Sequence, residues 1–220
     1  MLQGRKLERG LIILYEDRDI IVVDKPAGLL SIASGTEKEK TAYWILSQYL
    51  RKKGEKRRPA VVHRLDRDTS GLMLFAKSEE VKRRLMSRWD ETVILRRYAA
   101  LVEGVMNDNE GIIDEPLGED RGGRMVVKKD GIQALTRWKV LRKGKNFSLL
   151  ELELDTGRRN QIRAHLFFLG HPVAGDRKYD AKTNPLKRLA LHAEKLSFHH
   201  PHDNRVMEFT SPAPFHSSCT

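Results

Sequence analysis

The chain of 220 residues has a single cysteine, Cys219, one residue from the C-terminus. One thiol can make neither an intrachain disulfide nor, by itself, a metal site, so a reducing cytoplasmic setting is the expectation. No apolar run reaches membrane-spanning length, and no long apolar stretch follows the charged start Met1-Leu2-Gln3-Gly4-Arg5-Lys6 as it would in a secretory signal. A membrane partner is therefore not expected. Internal repeats, low-complexity stretches and a linker that would force two domains are also lacking, so the length is read as a single catalytic domain. A monomer is the default. Negative charge is in deficit: 30 Asp and Glu face 41 Lys and Arg, a formal surplus of +11. Such a surplus favours a polyanionic partner, with nucleic acid ahead of a membrane surface.

What is present is mostly strand-like. Leu11 to Tyr15 and Ile20 to Asp24 are β-branched runs around the polar turn Glu16-Asp17-Arg18-Asp19, the pattern of a hairpin. Residues 96–103 and 111–113 read as further strands. Ile132 to Leu141 and Leu150 to Asp155 alternate with a period of two, which predicts two long neighbouring strands. Residues 189–198 and 205–209 predict a final hairpin turned by Pro201-His202-Asp203-Asn204. Helices are fewer: one capped by Thr41 and stopped near Gly54, and one capped by Ser78 that buries Val81, Leu85, Met86 and Trp89. A third runs from about Asn160 to Leu169, with Gly170 beyond it. Long strands next to one another imply an antiparallel sheet rather than βαβ alternation. The expected class is α+β, a large mixed, mainly antiparallel sheet flanked by helices.

The stretch Val62-His63-Arg64-Leu65-Asp66-Arg67-Asp68-Thr69-Ser70-Gly71 crowds acids, bases and hydroxyls between apolar segments. A loop of that composition on a rigid scaffold suits a binding or catalytic site, although composition alone equally describes a solvated turn. The order of its residues resembles the HRLD…TSG signature of the RluA-type pseudouridine synthases. Lys25-Pro26-Ala27-Gly28-Leu29-Leu30-Ser31 is similar to that family's KPxGLxS segment, and Arg97 to Gly104 to its tyrosine-bearing strand. Thr156-Gly157-Arg158-Arg159-Asn160-Gln161-Ile162-Arg163 resembles TGRxHQIR and is followed by the similar Gly170-His171-Pro172-Val173-Ala174-Gly175-Asp176. Four motifs in one chain order carry more weight than any single short match.

The resemblance implies an RNA pseudouridine synthase acting on structured RNA, ribosomal or transfer, with no cofactor and no metal. It implies Asp66 as the catalytic carboxylate, Arg163 as its basic partner in a bidentate pair, and Tyr98 against the target base. RNA contacts would come from Lys25, His63, Arg64, Arg67, Thr69, Arg158 and Asn160, with Arg64 filling the space left by an extruded nucleotide. Asn160 stands where the family often has histidine, and asparagine cannot titrate. No N-terminal appendage of the S4 type is recognised. The cluster Arg51-Lys52-Lys53 with Lys56-Arg57-Arg58 is a candidate phosphate-binding flank of the catalytic loop. The histidines His199, His200 and His202 lack a spaced fourth ligand and favour a surface turn over a metal site. Two rival readings are weaker. A glycoside hydrolase would use Asp66 with Asp68, which the basic charge disfavours; a non-catalytic RNA-binding module would use the charge alone.

Overall fold

The computed structural model describes residues 4–33 and 39–216; Cys219 lies outside them. Its contacts divide the chain into two compact units, residues 1–95 with 195–211, and residues 96–194 with 212–220.

In the first unit β1 (Arg5–Lys6), β2 (Ile12–Glu16) and β3 (Ile20–Lys25) are followed by α1 (Ala42–Lys52), β4 (Ala60–Val61) and β5 (Ser70–Ala76). Helices α2 (Glu79–Ser87) and α3 (Trp89–Thr92) close the segment. The predicted hairpin of β2 and β3 forms, with Ile13 opposite Val23 and a bulge before Tyr15. Strand β5 then pairs antiparallel with β3, so that Ile20 faces Ala76 and Lys25 faces Gly71. All seven residues of β5 are buried. Thr41 caps α1 by accepting the Trp44 N–H at 3.1 Å, and Ser78 caps α2 by accepting that of Val81 at 3.2 Å, both as expected. Val81 and Leu85 enter a core made with Ile20, Val22, Leu72, Leu74, Phe198 and Phe209. Met86 does not; it is 48% exposed. The helix breaks at Arg88, whose φ of −133° is not helical, so Trp89 belongs to the next short helix, from which it still packs partly buried against the same core.

The second unit opens with β6 (Val93–Glu103), which crosses into it, and continues with β7 (Glu110–Asp114), β8 (Leu117–Glu119) and β9 (Met125–Val127). Strands β10 (Leu135–Lys143) and β11 (Phe147–Leu154) lead to α4 (Gln161–Phe168). β6 pairs with β11, β11 with β10 and β10 with β7, all antiparallel. Tyr98 is opposite Leu152, which in turn faces Trp138. The glycine-rich segment 119–124 is the turn of a small hairpin, β8 against β9. β12 (Leu191–His199) carries residues of both units, and β13 (Val206–Thr210) pairs with it antiparallel in the first, Leu196 facing Phe209. Antiparallel sheets with few helices realise the α+β class.

Candidate active site

The HRLD loop runs from the end of β4 to the start of β5, and the KPAGLLS segment leaves the neighbouring strand β3 beside it. The two segments are laced through their backbones. Ser31 Oγ donates to the Leu65 carbonyl at 2.7 Å and accepts the Leu65 N–H at 3.1 Å. Beyond Asp66, the Arg67 carbonyl accepts from the Gly28 N–H at 2.9 Å and from Lys25 Nζ at 3.0 Å. Gly28 holds φ +83°, a conformation that L side chains resist. Asp66 itself is half-buried, and its two neighbours in sequence are both pinned. The carboxylate therefore rides on a loop whose backbone has little freedom, as a reacting group needs if it is to be aimed.

Several residues expected to touch RNA serve this framework instead. Lys25 is fully buried, and its ammonium donates to three carbonyls, those of Pro26 at 3.0 Å, Leu29 at 2.7 Å and Arg67 at 3.0 Å. It is a brace under the loop and not a surface cation. His63 accepts the Leu74 N–H on Nε2 at 3.0 Å and packs near Trp89, which anchors the start of the loop to β5. Thr69 is only 2% exposed and has no face for a polyanion. Arg64, Arg67 and Asp68 are exposed.

In the second unit Tyr98 lies on β6, 8% exposed, next to Arg97, which pairs with Glu151 at 3.1 Å and Glu153 at 2.7 Å. Arg163 lies on α4 and is 8% exposed. Its bidentate carboxylate is Asp176: Nε reaches Oδ2 at 2.6 Å and Nη2 reaches Oδ1 at 2.8 Å. This fork occupies the Nε and Nη2 edge of the guanidinium. Asp176 also accepts the Lys178 N–H at 3.2 Å. The Arg163 guanidinium sits 5.2 Å from the centre of the Tyr179 ring, whose hydroxyl donates to the Met125 carbonyl at 2.8 Å.

Around α4 the burial is polar as well as apolar. Gln161 accepts from Thr156 Oγ1 at 2.8 Å and from the Arg158 N–H at 2.9 Å, and donates to the Leu135 carbonyl at 2.9 Å and to Thr136 Oγ1 at 3.0 Å. His165, fully buried, lies 2.9 Å from Thr136 Oγ1 and 3.0 Å from the Glu115 carbonyl; burial holds its pKa below the ordinary histidine value. Asn160 precedes the helix in the left-handed region, φ 52°, a conformation that asparagine tolerates better than most residues. Arg158 is exposed and donates from Nε to the Gln133 carbonyl at 3.1 Å. Arg159 is outside the helix, paired with Glu119 at 2.8 Å.

Residues 19–167, spanning the HRLD loop, Tyr98 and Arg163, match the family model described as RNA pseudouridylate synthase. The chain belongs to this family. Pseudouridine synthases are isomerases acting on RNA, and the relatives agree. The uncharacterized RNA pseudouridine synthase YlyB of Bacillus subtilis is 38% identical, over 93% of this chain and 69% of its own length. The ribosomal large subunit pseudouridine synthase D of Nitrosomonas europaea is 37% identical over 93% of this chain, which spans 62% of that protein. Among solved structures, human RNA pseudouridylate synthase domain containing 4 superposes with a TM-score of 0.73 at 27% identity, covering 92% of this chain and 88% of that one. For this pseudouridine synthase, sequence reasoning passed over three positioning residues: Ser31, Gln161 and Asp176. All three stand inside the motifs and are polar without being obvious chemistry, which was the signal that they hold something in place.

Proposed function

We propose that the protein isomerises specific uridines to pseudouridine in structured RNA, with ribosomal RNA of the large subunit favoured and transfer RNA the other class, and with Asp66 as the essential carboxylate. The observation that carries the assignment is the lacing on either side of Asp66 by Ser31, Gly28 and Lys25, which fixes a partly exposed carboxylate on a basic protein. The preference for large-subunit RNA rests on the name of the Nitrosomonas relative.

In the reaction the bond from C1′ to N1 of uracil breaks, the base turns, and a bond from C1′ to C5 forms. N1 gains a proton and C5 loses one, so the exchange is redox neutral. A carboxylate supports the first step either as nucleophile at C1′ or as base toward a sugar proton, giving a glycal; both routes begin at Asp66. Tyr98 is assigned to the face of the base, where its ring can stack. Arg163, held by Asp176, is assigned to orienting the Asp66 carboxylate. Arg64, exposed two residues before Asp66, is assigned to the gap left by the extruded nucleotide. Extrusion costs a few kcal/mol of stacking, least in a loop, so the target uridine is expected in a loop or bulge. The protein is assigned to the cytoplasm as a monomer.

The test is chemical mapping of pseudouridine in unmodified ribosomal and transfer RNA transcripts after incubation with wild type and with Asp66→Ala. New pseudouridine is expected from wild type alone, with RNA binding retained by the variant. Equal product from Asp66→Ala would remove Asp66 from the chemistry.

A further inference from the structure

Arg18, Lys56 and Arg57 surround an open depression of about 410 Å³ whose wall also carries Glu55 and Lys77. The two inner charges are already matched. Lys77, nearly buried, pairs with Glu16 and Glu55 at 2.9 Å each. Lys53 completes the circuit, 2.8 Å from Glu16 and 3.7 Å from Glu55. Two acids and two bases thus close a ring of zero net charge. Arg18, Lys56 and Arg57 stand outside it, all exposed, and among the described residues none of the three makes an ion pair. Three cations around one concavity give a positive focus that the ring beneath does not cancel.

Its location separates it from the reacting loop. Lys77 follows the last residue of β5, and Arg18 lies in the turn before Ile20, which faces Ala76. Asp66 precedes the first residue of that strand. Seven strand residues rise on the order of 20 Å, so a phosphate at the uridine held by Asp66 cannot also sit here. The cluster that the sequence placed as a flank of the catalytic loop therefore belongs, for Lys56 and Arg57, to the opposite end of the strand.

We propose that Arg18, Lys56 and Arg57 form a second phosphate-binding site, which takes a backbone phosphodiester of the RNA substrate outside the segment carrying the target uridine. The two guanidinium groups offer paired N–H donors that match phosphate oxygens, and the lysine adds a mobile point charge. The separation from the target rests on the assignment of Asp66. Long structured RNA engages both ends of the unit, whereas a short hairpin reaches only one.

The test compares wild type with Arg18→Ala/Lys56→Ala/Arg57→Ala in binding an unmodified large-subunit ribosomal RNA transcript, and short hairpins cut from it, across a salt series. Each lost phosphate contact lowers the slope of log affinity against log salt by about 0.7–0.9. A slope shallower by about 2 and an affinity about 10- to 100-fold weaker are expected for the transcript, with the hairpins changed less than about twofold. Arg18→Lys/Arg57→Lys should keep the wild-type slope, and thermal melting of all variants should coincide, because the three side chains are exposed. Parallel salt lines for wild type and the triple variant on the transcript would overturn the site, as would wild type that does not bind the transcript. A wild type that binds with the steeper slope yet makes no pseudouridine would instead sink the assignment of the reaction.

Discussion

At the scale of single residues, the pair of Arg163 and Asp176 is the most consequential find outside the HRLD loop. Both are buried, and the carboxylate satisfies one whole edge of the guanidinium. Removing one member of such a pair leaves an uncompensated charge, which costs about 3–5 kcal/mol. Asp176→Ala should lower the unfolding free energy measured in urea by that much. The gentler Asp176→Asn should fold and lose kcat more than it raises KM, because a misaimed Arg163 acts on the reacting carboxylate and not on RNA affinity. A loss confined to KM would assign Asp176 to RNA binding instead. The motif spacing made Asp66, Tyr98 and Arg163 legible as positions. It did not make their partners legible. A lysine under three carbonyls and a lysine waiting for phosphate are the same letter, so Lys25 was read as a contact when it is a brace. Thr69 was misread for the same reason, since its burial is a property of the folded loop and not of its composition.

At the scale of elements, caps and alternation carried far. Thr41 and Ser78 start their helices through their own hydroxyls, and the period-two runs at residues 132–141 and 150–155 became the long pair β10 and β11. Three-residue strands were beyond reach, because β8 and β9 are too short to show a period. Their hairpin instead follows from Asp120, which accepts the N–H groups of Gly122 and Arg124 at 2.9 Å each. The segment after α4 shows how tightly one turn can constrain an element. Gly175 holds φ +79°, and a Cβ there would press on the Arg188 carbonyl. Gly175→Ala should therefore combine backbone strain with a clash next to Asp176, lowering the melting temperature and reducing turnover together. A variant that melts with wild type would show that the 175–188 segment yields easily.

At the scale of the whole molecule, charge governs both the partner and the working range. The surplus of +11 made a polyanion legible from composition. The arrangement of that charge was not legible, because Lys53 and Lys77 are spent on Glu16 and Glu55 while Arg18, Lys56 and Arg57 are not. Burial pushes the Glu16 carboxyl up, but hydrogen bonds from Lys53, Tyr49 and Lys77 outweigh it and bring the pKa down from 4.5 to about 2. A carboxylate with a depressed folded-state pKa contributes its stability above its unfolded value. That contribution should be intact above pH 4.5 and should disappear as pH falls toward 2. It amounts to at most about 3 kcal/mol after allowing for solvent screening. Urea unfolding across that window should show the loss in wild type, and Glu16→Gln should flatten it; an equally steep acid limb in Glu16→Gln would move the effect to other carboxylates.

The same ring of Lys53, Glu16, Lys77 and Glu55 has a consequence for heat. Stripping water from ions becomes less costly as temperature rises, whereas apolar burial gains little more per unit area. The end of β5 beside Lys77 is therefore expected to hold its amide protons longest when the protein is warmed, after loops elsewhere have begun to exchange them.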